Sequence, residues 1–426
     1  MIKKFLRRII PESSGLRLAY SWTKSYLARL RYPLPPDLKI VGITGTDGKT
    51  TTTHFTAQLL QDLGLKVAMA STESICMANE WRNNETKRTT LSPWFIFPFL
   101  REAARKNCDV IILEVSSHAI SQGRIAGIPF QVGILTNISQ EHGNYHKTLQ
   151  EYAETKAELL KMVAKYPGKH RLIVSGNTAF SDIFLSIDPK NTKTYVLNQN
   201  KADLMAEELL LNPEKSSFIL KDRKNARKFP AELSVPGTYN VENALASCLV
   251  AEFLGFSYEQ IVPHLQNLQA VPGRLQRVKV PAPCQVFIDF AITPGALTQV
   301  LQYLKIISKG RVIAVFGCTG GNHDHQKRSM MGQVSASLAD LVILTEDETY
   351  GEDNNQILAD IQKGFPLGFQ NYRVVPDRGD AIFAALQEAK AGDTVLITGM
   401  GSFQSRNNGQ TEVPWSDLQW VNDYYK

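Results

Sequence analysis

The residues from Leu38 to Thr53, Leu-Lys-Ile-Val-Gly-Ile-Thr-Gly-Thr-Asp-Gly-Lys-Thr-Thr-Thr-Thr, run from a short apolar strand through a glycine-bearing turn into the start of a helix. This is the outline of a loop that holds phosphates. The backbone N–H groups of Gly45, Thr46, Asp47, Gly48 and Lys49 can face an anion without side-chain obstruction, and a free helix N-terminus favours negative charge. Lys49 reaches the outer phosphates, Thr50 offers a hydroxyl to a divalent cation such as Mg²⁺, and Thr51 completes the turn. The strict pattern requires glycine where Ile43 stands, so Thr44-Gly-Thr-Asp-Gly-Lys-Thr50 is a variant form. Its position between an apolar strand and the amphipathic run His54–Leu63 is the context the motif requires.

Two further stretches supply groups that a nucleotide-bound cation needs. Cys108-Asp-Val-Ile-Ile-Leu-Glu-Val115 reads as a buried strand that delivers Glu114 to its C-terminal end, where Ser116-Ser-His118 follows. A carboxylate there is a hard oxygen ligand beside the phosphates. Val132-Gly-Ile-Leu-Thr136 opens into a loop carrying His142, and the helical run Leu149–Val163 carries Lys156. Taken singly, His142 reads equally as a capped loop histidine and Lys156 as a helix-surface lysine.

The elements that must position these groups alternate. Strand-like runs at Val67–Ala70, Val110–Val115, Val132–Thr136, Leu172–Ser175, Ser217–Leu220 and Ala231–Val235 are interleaved with amphipathic helical stretches. Asn240–Leu254 and Tyr258–Leu268 read as helices and lead to Val271-Pro-Gly-Arg274, where a domain boundary is expected. A fresh alternation follows, with strands at Val286–Phe290, Val312–Phe316, Leu341–Leu344, Arg373–Val375 and Val395–Thr398. The expected fold is therefore α/β. A phosphate-loop central domain with a mostly parallel sheet, residues 38–274, is joined to a C-terminal Rossmann-like α/β domain, residues 275–426.

Residues 1–37 form a basic amphipathic arm. Met1–Ile40 holds nine Lys and Arg against Glu12 and Asp37, which is more than the whole chain's excess of +6. The rest is near neutrality, which excludes a nucleic-acid-coating protein. Aromatic and aliphatic residues recur among the arm's basic ones at roughly helical spacing. That pattern suits docking on an anionic membrane surface, or a basic helix packed on the body by its aromatic face. The five cysteines lie far apart without a C-x-x-C pair, as reduced thiols in a cytoplasmic protein would. No apolar stretch approaches the ~20 residues of a membrane span.

The order of motifs resembles the Mur ligases. It runs Thr-Gly-Thr-x-Gly-Lys-Thr-Thr, Glu114-Val-Ser-Ser-His-Ala, Gln122-Gly-Arg124, Thr136-Asn-Ile-Ser, Tyr152-Ala-x-x-Lys156, Gly237-Thr-Tyr-Asn240-Val-Glu-Asn243, Val271-Pro-Gly-Arg274, Asp289-Phe-Ala-Ile-Thr-Pro294 and Asp377-Arg378. Within that family the likeness is to the branch that adds the third amino acid of the peptidoglycan stem, and it covers about Ile40 to the C-terminus. The resemblance implies ATP-dependent amide formation with Mg²⁺ on a muramyl-peptide carboxylate and an amino acid, by a cytoplasmic monomer. It assigns phosphates and the first metal to Lys49 and Thr50, and further metal ligation to Glu114, His142 and a carbamylated Lys156. Thr89, Thr90, Ser116, Gln122 and Arg124 match the muramyl-peptide site. Asn240 and Asn243 match the adenine side, Arg274 the domain junction and Asp289 the ribose contact.

The departures from the family pattern are local. About 40 residues precede the loop, where the family carries a domain that grips uridine diphosphate. The expectation is that this domain is lacking, with the nucleotide handle gripped otherwise or the acceptor carried on a lipid. Asp47 replaces Asn, Glu141 replaces Asp, His323 stands for Arg, and Ile292 for a histidine whose hydrogen bonds an aliphatic side chain cannot make. In the amino-acid pocket, Asp347-Glu-Thr-Tyr350 replaces Asp-Asn-Pro-Arg, and Gly399-Met-Gly-Ser-Phe403 replaces Gly-Lys-Gly-His-Glu. Without arginine at Tyr350 to clamp a distal carboxylate, diaminopimelate is disfavoured. The acidic run Glu346–Glu348 either meets an amine, as lysine or ornithine would offer, or is a solvated loop. A folylpolyglutamate-type ligase and a degenerate nucleotide-binding homologue are the competing readings.

Overall fold

The apolar runs assemble into two large sheets in the computed structural model, which describes residues 15–86, 88–139, 148–198, 202–321 and 324–426. The first sheet contains β1 (Ile40–Thr44), β2 (Val67–Ala70), β3 (Ser74–Met77), β4 (Glu80–Asn83), β5 (Val110–Glu114) and β6 (Phe130–Leu135). It continues with β7 (Arg171–Ser175), β8 (Thr192–Leu197), β9 (Leu204–Leu211), β10 (Ser216–Asp222) and β11 (Arg227–Leu233). Their order is β11-β10-β9-β8-β7-β6-β1-β5-β2-β3-β4. The strands from β9 to β2 are parallel, and antiparallel hairpins extend both ends. Strands β1 and β5 are buried along their whole length, as strands covered by helices on both faces must be. Lys49–Asp62 and Thr238–Leu254 cover one face together, joined by Thr56 Oγ1 to Ser247 Oγ at 3.0 Å.

The second sheet comprises β12 (Gln276–Val278), β13 (Gln285–Asp289), β14 (Val312–Phe316), β15 (Leu341–Leu344), β16 (Tyr372–Val374) and β17 (Thr394–Thr398), in the order β12-β13-β17-β14-β15-β16. All pairings are parallel except that of the edge strand β12. A small hairpin of β18 (Ser405–Asn407) and β19 (Glu412–Pro414) follows before the last helix, Asp417–Tyr424. Strand β17 is thus not followed directly by a helix.

Strand expectations hold to within a few residues, whereas several elements carried no readable period. Strand β4 is exposed throughout and meets β3 through Ala78 and Asn79, both at positive φ, so neither alternation nor a glycine marks the hairpin. Pro98 inside Pro93–Arg105 disguises that helix. Tyr258–Leu268 resolves into a short α-helix, Tyr258–Ile261, and a 3₁₀ segment, Val262–Asn267, with Pro263 in the first turn of the latter. Cys76, Cys248 and Cys318 are buried, Cys108 and Cys284 half-buried, and none forms a disulfide.

One ion pair fixes the C-terminal loops. Arg378 and Asp417, both fully buried, meet through Nε–Oδ1 at 2.8 Å and Nη2–Oδ2 at 2.7 Å. Arg378 also donates to the carbonyls of Thr398 (3.0 Å) and Glu346 (3.3 Å), binding the ends of β15 and β17 to the last helix. Removing one partner strands a charge in the core. Arg378→Ala or Asp417→Ala is expected to cost about 3–5 kcal/mol in urea unfolding followed by tryptophan fluorescence, and the pair Arg378→Met with Asp417→Leu distinctly less.

Candidate active site

Strand β1 runs into Gly45, at φ +149°, where a β-carbon would stand 1.8 Å from Thr136 Oγ1. Gly48, at φ +80°, starts the helix Lys49–Asp62 in the left-handed region that glycine enters without strain. Thr46 N donates to Asn137 O and Asp47 N to Asn137 Oδ1, each at 2.9 Å, so the loop is pinned to the residues after β6. The helix start has no side-chain cap, which leaves the N–H groups of its first turn for another acceptor. Lys49 Nζ folds over this turn and donates to Thr46 O at 2.6 Å.

Glu114 lies at the end of β5 and is buried. Its Oε1 accepts from Thr50 Oγ1 at 3.0 Å, and its Oε2 from Thr72 N at 2.7 Å and Thr72 Oγ1 at 3.1 Å. Lys156 is only 1% exposed, so it is no helix-surface lysine. Its ammonium donates to Gly45 O at 2.6 Å and lies 4.3 Å from the Tyr152 ring centre. Lys49, Glu114 and Lys156 therefore all touch the segment from Gly45 to Thr50, and His142 lies outside the described residues.

A second cluster adjoins Glu114. Thr90 Oγ1 donates to the Glu114 carbonyl at 3.0 Å and accepts from Ser116 N at 2.9 Å. Arg124 grips Gln122 Oε1 through Nε and Nη2, at 2.9 and 2.5 Å, and reaches Thr90 O at 3.3 Å. Thr89 is half-buried beside them.

The second lobe closes on the loop. Thr293 Oγ1 lies 3.1 and 3.2 Å from the two Asp47 carboxylate oxygens and also caps the helix Pro294–Ile307 through Ala296 N, at 3.1 Å. A carboxylate at that helix N-terminus meets the positive end of the dipole, which the asparagine usual in the family would not exploit as a charge. Arg274 lies 4.4 Å over the Phe290 ring, 3.4 Å from Thr50 Oγ1 and 3.9 Å from Glu73 Oε1. Asn243 accepts from Thr52 Oγ1 at 3.0 Å while its buried Nδ2 has no hydrogen-bond partner, and Asn240 donates to Pro236 O at 2.6 Å. Half-buried Ile292 offers only its carbonyl, which takes Lys327 Nζ at 2.9 Å.

The acidic run is neither solvated nor open. Asp347 and Glu348 are buried, Glu346 pairs with Arg406, and Glu348 accepts from Tyr350 OH at 3.0 Å. Burial raises the Asp347 carboxyl, with Arg378 opposing.

The description "Mur ligase middle domain" matches residues 43–251, and "Mur ligase, glutamate ligase domain" matches residues 273–401. A UDP-N-acetylmuramoyl-L-alanyl-D-glutamate–2,6-diaminopimelate ligase of Trichormus variabilis is 34% identical over 386 residues, covering 90% of this chain and 76% of the relative. This chain belongs to the Mur ligase family. It is accordingly an ATP-dependent carbon–nitrogen ligase. A UDP-N-acetylmuramyl-tripeptide synthetase of Roseiflexus is 33% identical over 396 residues, covering 89% and 77%. A solved structure of a UDP-N-acetylmuramoyl-L-alanyl-D-glutamate–2,6-diaminopimelate ligase superposes with a TM-score of 0.64 at 30% identity, over 95% of this chain and 81% of that one.

Four groups of this Mur ligase's cleft escaped the sequence reading: Thr72, Glu73, Thr293 and Ser402. Thr72 and Glu73 follow β2 as Glu114 ends β5, so the rule that ligands gather at carboxyl ends of parallel strands was the signal available. A cavity of about 470 Å³ between β10, β11 and the 3₁₀ segment includes none of the site residues.

Asp289, at the end of β13, accepts from Leu275 N at 2.5 Å; burial pushes its carboxyl up to about 6, with Arg274 opposing. A raised carboxyl favours the folded state fully below the ordinary value of 3.8, and that contribution is lost as pH rises through about 6. The stability of the wild type relative to Asp289→Asn is therefore expected to fall by on the order of 2–3 kcal/mol between about pH 4 and 7 in urea titrations. A flat difference would contradict the assignment.

Proposed function

We propose that this ligase joins the carboxylate of a muramyl peptide to the amine of an amino acid in making a peptidoglycan precursor, by way of an acyl phosphate. The observation that carries it is the position of Glu114. Its carboxylate binds the phosphate-loop helix through Thr50, and its carbonyl accepts from Thr90 of the cluster with Ser116, Gln122 and Arg124. Phosphate donor and acceptor carboxylate are thus brought to opposite sides of one residue.

A carboxylate is a poor electrophile with a poor leaving group, and phosphorylation corrects both. The catalysis required is mostly positioning and charge neutralisation. Gly45–Thr51 would cradle the triphosphate, with Lys49 turning from Thr46 O to the outer phosphates and Arg274 adding a second cation. The orphaned Asn243 Nδ2 and Arg274 Nε are donors that such a ligand would satisfy. Thr50 and Glu114 offer hard oxygens suited to Mg²⁺, which would neutralise the transferring group. Lys156 would join them on carbamylation, which turns its cation into an anionic oxygen ligand, together with His142. Asn240 and Asp289 are assigned to the base and ribose, and Thr89 and Thr90 to the acceptor rim. Use of ATP and unpaired thiols support a cytoplasmic site of action. Glu114-Val-Ser-Ser-His and Gln122-Gly-Arg124 favour a muramyl acceptor over a folate one.

The incoming amino acid is read as a diamino acid without a distal carboxylate, such as lysine or ornithine, because Tyr350 stands where a carboxylate clamp would be. Asp347 and Tyr350 shape that pocket: the Tyr350 hydroxyl is spent on Glu348, and Asp347, whose buried Oδ2 has no hydrogen-bond partner, already faces the Arg378 cation. Glu73 is the better acceptor of an ammonium. Its side chain is 8% exposed, its Oε2 accepts from Ser402 of the loop Gly399–Phe403, and its buried Oε1 has no hydrogen-bond partner.

Phosphate release from ATP should require both a muramyl peptide and an amino acid, and Lys49→Ala should lower it by roughly 10²-fold or more. Release that ignores the acceptors would favour a nucleotide-binding protein without ligase turnover. Glu73→Gln is expected to raise the KM for the amine about 10-fold or more while acyl-phosphate trapping by hydroxylamine stays near wild type.

A further inference from the structure

The helix Gly15–Arg31 leaves much of its apolar side uncovered. Its buried side chains include the small ones of Ser25 and Ala28, while Trp22 (51%), Tyr26 (62%), Leu27 (48%) and Leu30 (62%) stand exposed. An amphipathic helix on a globular body normally does the opposite. The expectation of a basic helix docked by its aromatic face holds only in part: Trp22 lies against Gly123 and Tyr32 packs on the core, whereas Tyr20, Tyr26, Leu27 and Leu30 face outward. The neighbouring helix Pro93–Arg105, joined at the edge-to-face pair Tyr32–Trp94, adds exposed Trp94 and Phe95. Six large apolar side chains are therefore exposed on two adjacent helices.

The charge on this helix has one sign. Gly15–Arg31 contains Arg17, Lys24, Arg29 and Arg31 and not one Asp or Glu. Lys24 and Arg31 lie over the rings of Tyr20 and Tyr32, at 4.0 and 5.3 Å from their centres. Tryptophan and tyrosine interleaved with arginine and lysine suit the boundary between lipid headgroups and acyl chains, where rings enter and cations meet anionic headgroups.

We infer that this surface docks on an anionic lipid bilayer. It lies in the interface rather than crossing it, because no helix among the described residues is long and apolar enough to span. The docking face adjoins the acceptor site. The Trp22 ring lies against Gly123, so close that a β-carbon there would stand 2.4 Å from it, and Arg29 lies against Gly127. Gly123 is flanked by Gln122 and Arg124 of the acceptor cluster. A muramyl peptide carried on a membrane lipid would reach that cluster from the docked side. This last step rests on the proposed ligase function, whereas the docking does not.

Flotation of the full chain with phosphatidylcholine vesicles, with and without phosphatidylglycerol, tests it. Binding to the anionic vesicles should exceed that to neutral ones by about 10-fold or more and weaken with salt. Leu30→Glu with Phe95→Glu should reduce it by a similar factor while the melting temperature and turnover of a soluble muramyl peptide stay unchanged. Tyr26→Glu provides a second variant should the pair fold poorly. Equal binding to neutral vesicles, no binding, or binding indifferent to these substitutions would overturn the inference. So would a wild-type dimer in sedimentation that the substitutions dissolve, since the face would then join two copies. Lipid-anchored muramyl peptide should be turned over faster than soluble peptide by the wild type but not by the variants. Equal rates in the wild type would overturn the acceptor step alone.

Discussion

A buried carboxylate at the end of a parallel strand is costly unless donors surround it, and Glu114 is satisfied from two directions. Thr50 comes from the phosphate-loop helix and Thr72 from the turn after β2. These bonds fix the separation of β1, β5 and β2 at the edge where the chain reverses its winding, since β1 has β6 on one side and β5 on the other. Cofactor and substrate sites form at such reversals because the loops diverge and leave a crevice. The same carboxylate that braces the crevice is the one proposed above as its hard ligand.

Polar and charged contacts join the second lobe to the loops around the phosphate-binding turn. Asp47 to Thr293, Arg274 to Thr50 and Glu73 to Ser402 each cross from the first sheet's loops to the segment beginning at Gly273 or beyond. All three first-lobe partners lie in the loops after β1 and β2, so a ligand that changes the charge of those loops acts directly on the contact between lobes. Arg274 is central to this exchange. Its guanidinium stacks on Phe290 and faces Glu73, and a phosphate competing for it would leave Glu73 in need of another cation.

Much of this was legible along the chain, for unequal reasons. The loop Gly45–Thr51 could be read because glycine, lysine and threonine at fixed spacing have few other uses, and β1, β5, β14 and β17 because full burial writes an unbroken apolar run. Lys156 was ambiguous until its burial was seen, since helical periodicity alone does not reveal which neighbours cover a helix. That the acidic run Glu346–Glu348 is not a solvated loop could not be read, because its partners Arg406 and Asn407 come from a hairpin of only three-residue strands. Thr293 and Ser402 gain meaning only from contacts across the cleft, which no local pattern encodes. The outward Tyr20, Tyr26, Leu27 and Leu30 of Gly15–Arg31 show a different limit: the sequence displays an amphipathic helix, but only packing decides how much of its apolar side is covered.

The eleven-stranded sheet ends in two rims, β11 and β4. In β11, Pro230 removes one backbone donor, and Arg227 and Lys228 stand at one end with Glu232 near the other; β4 is fully exposed and carries Glu80 and Arg82. Unpaired rims of this length are templates for further strands, and proline and opposed charges are what discourage recruitment. Both ends of this very wide pleated surface thus carry features that disfavour the addition of a further strand.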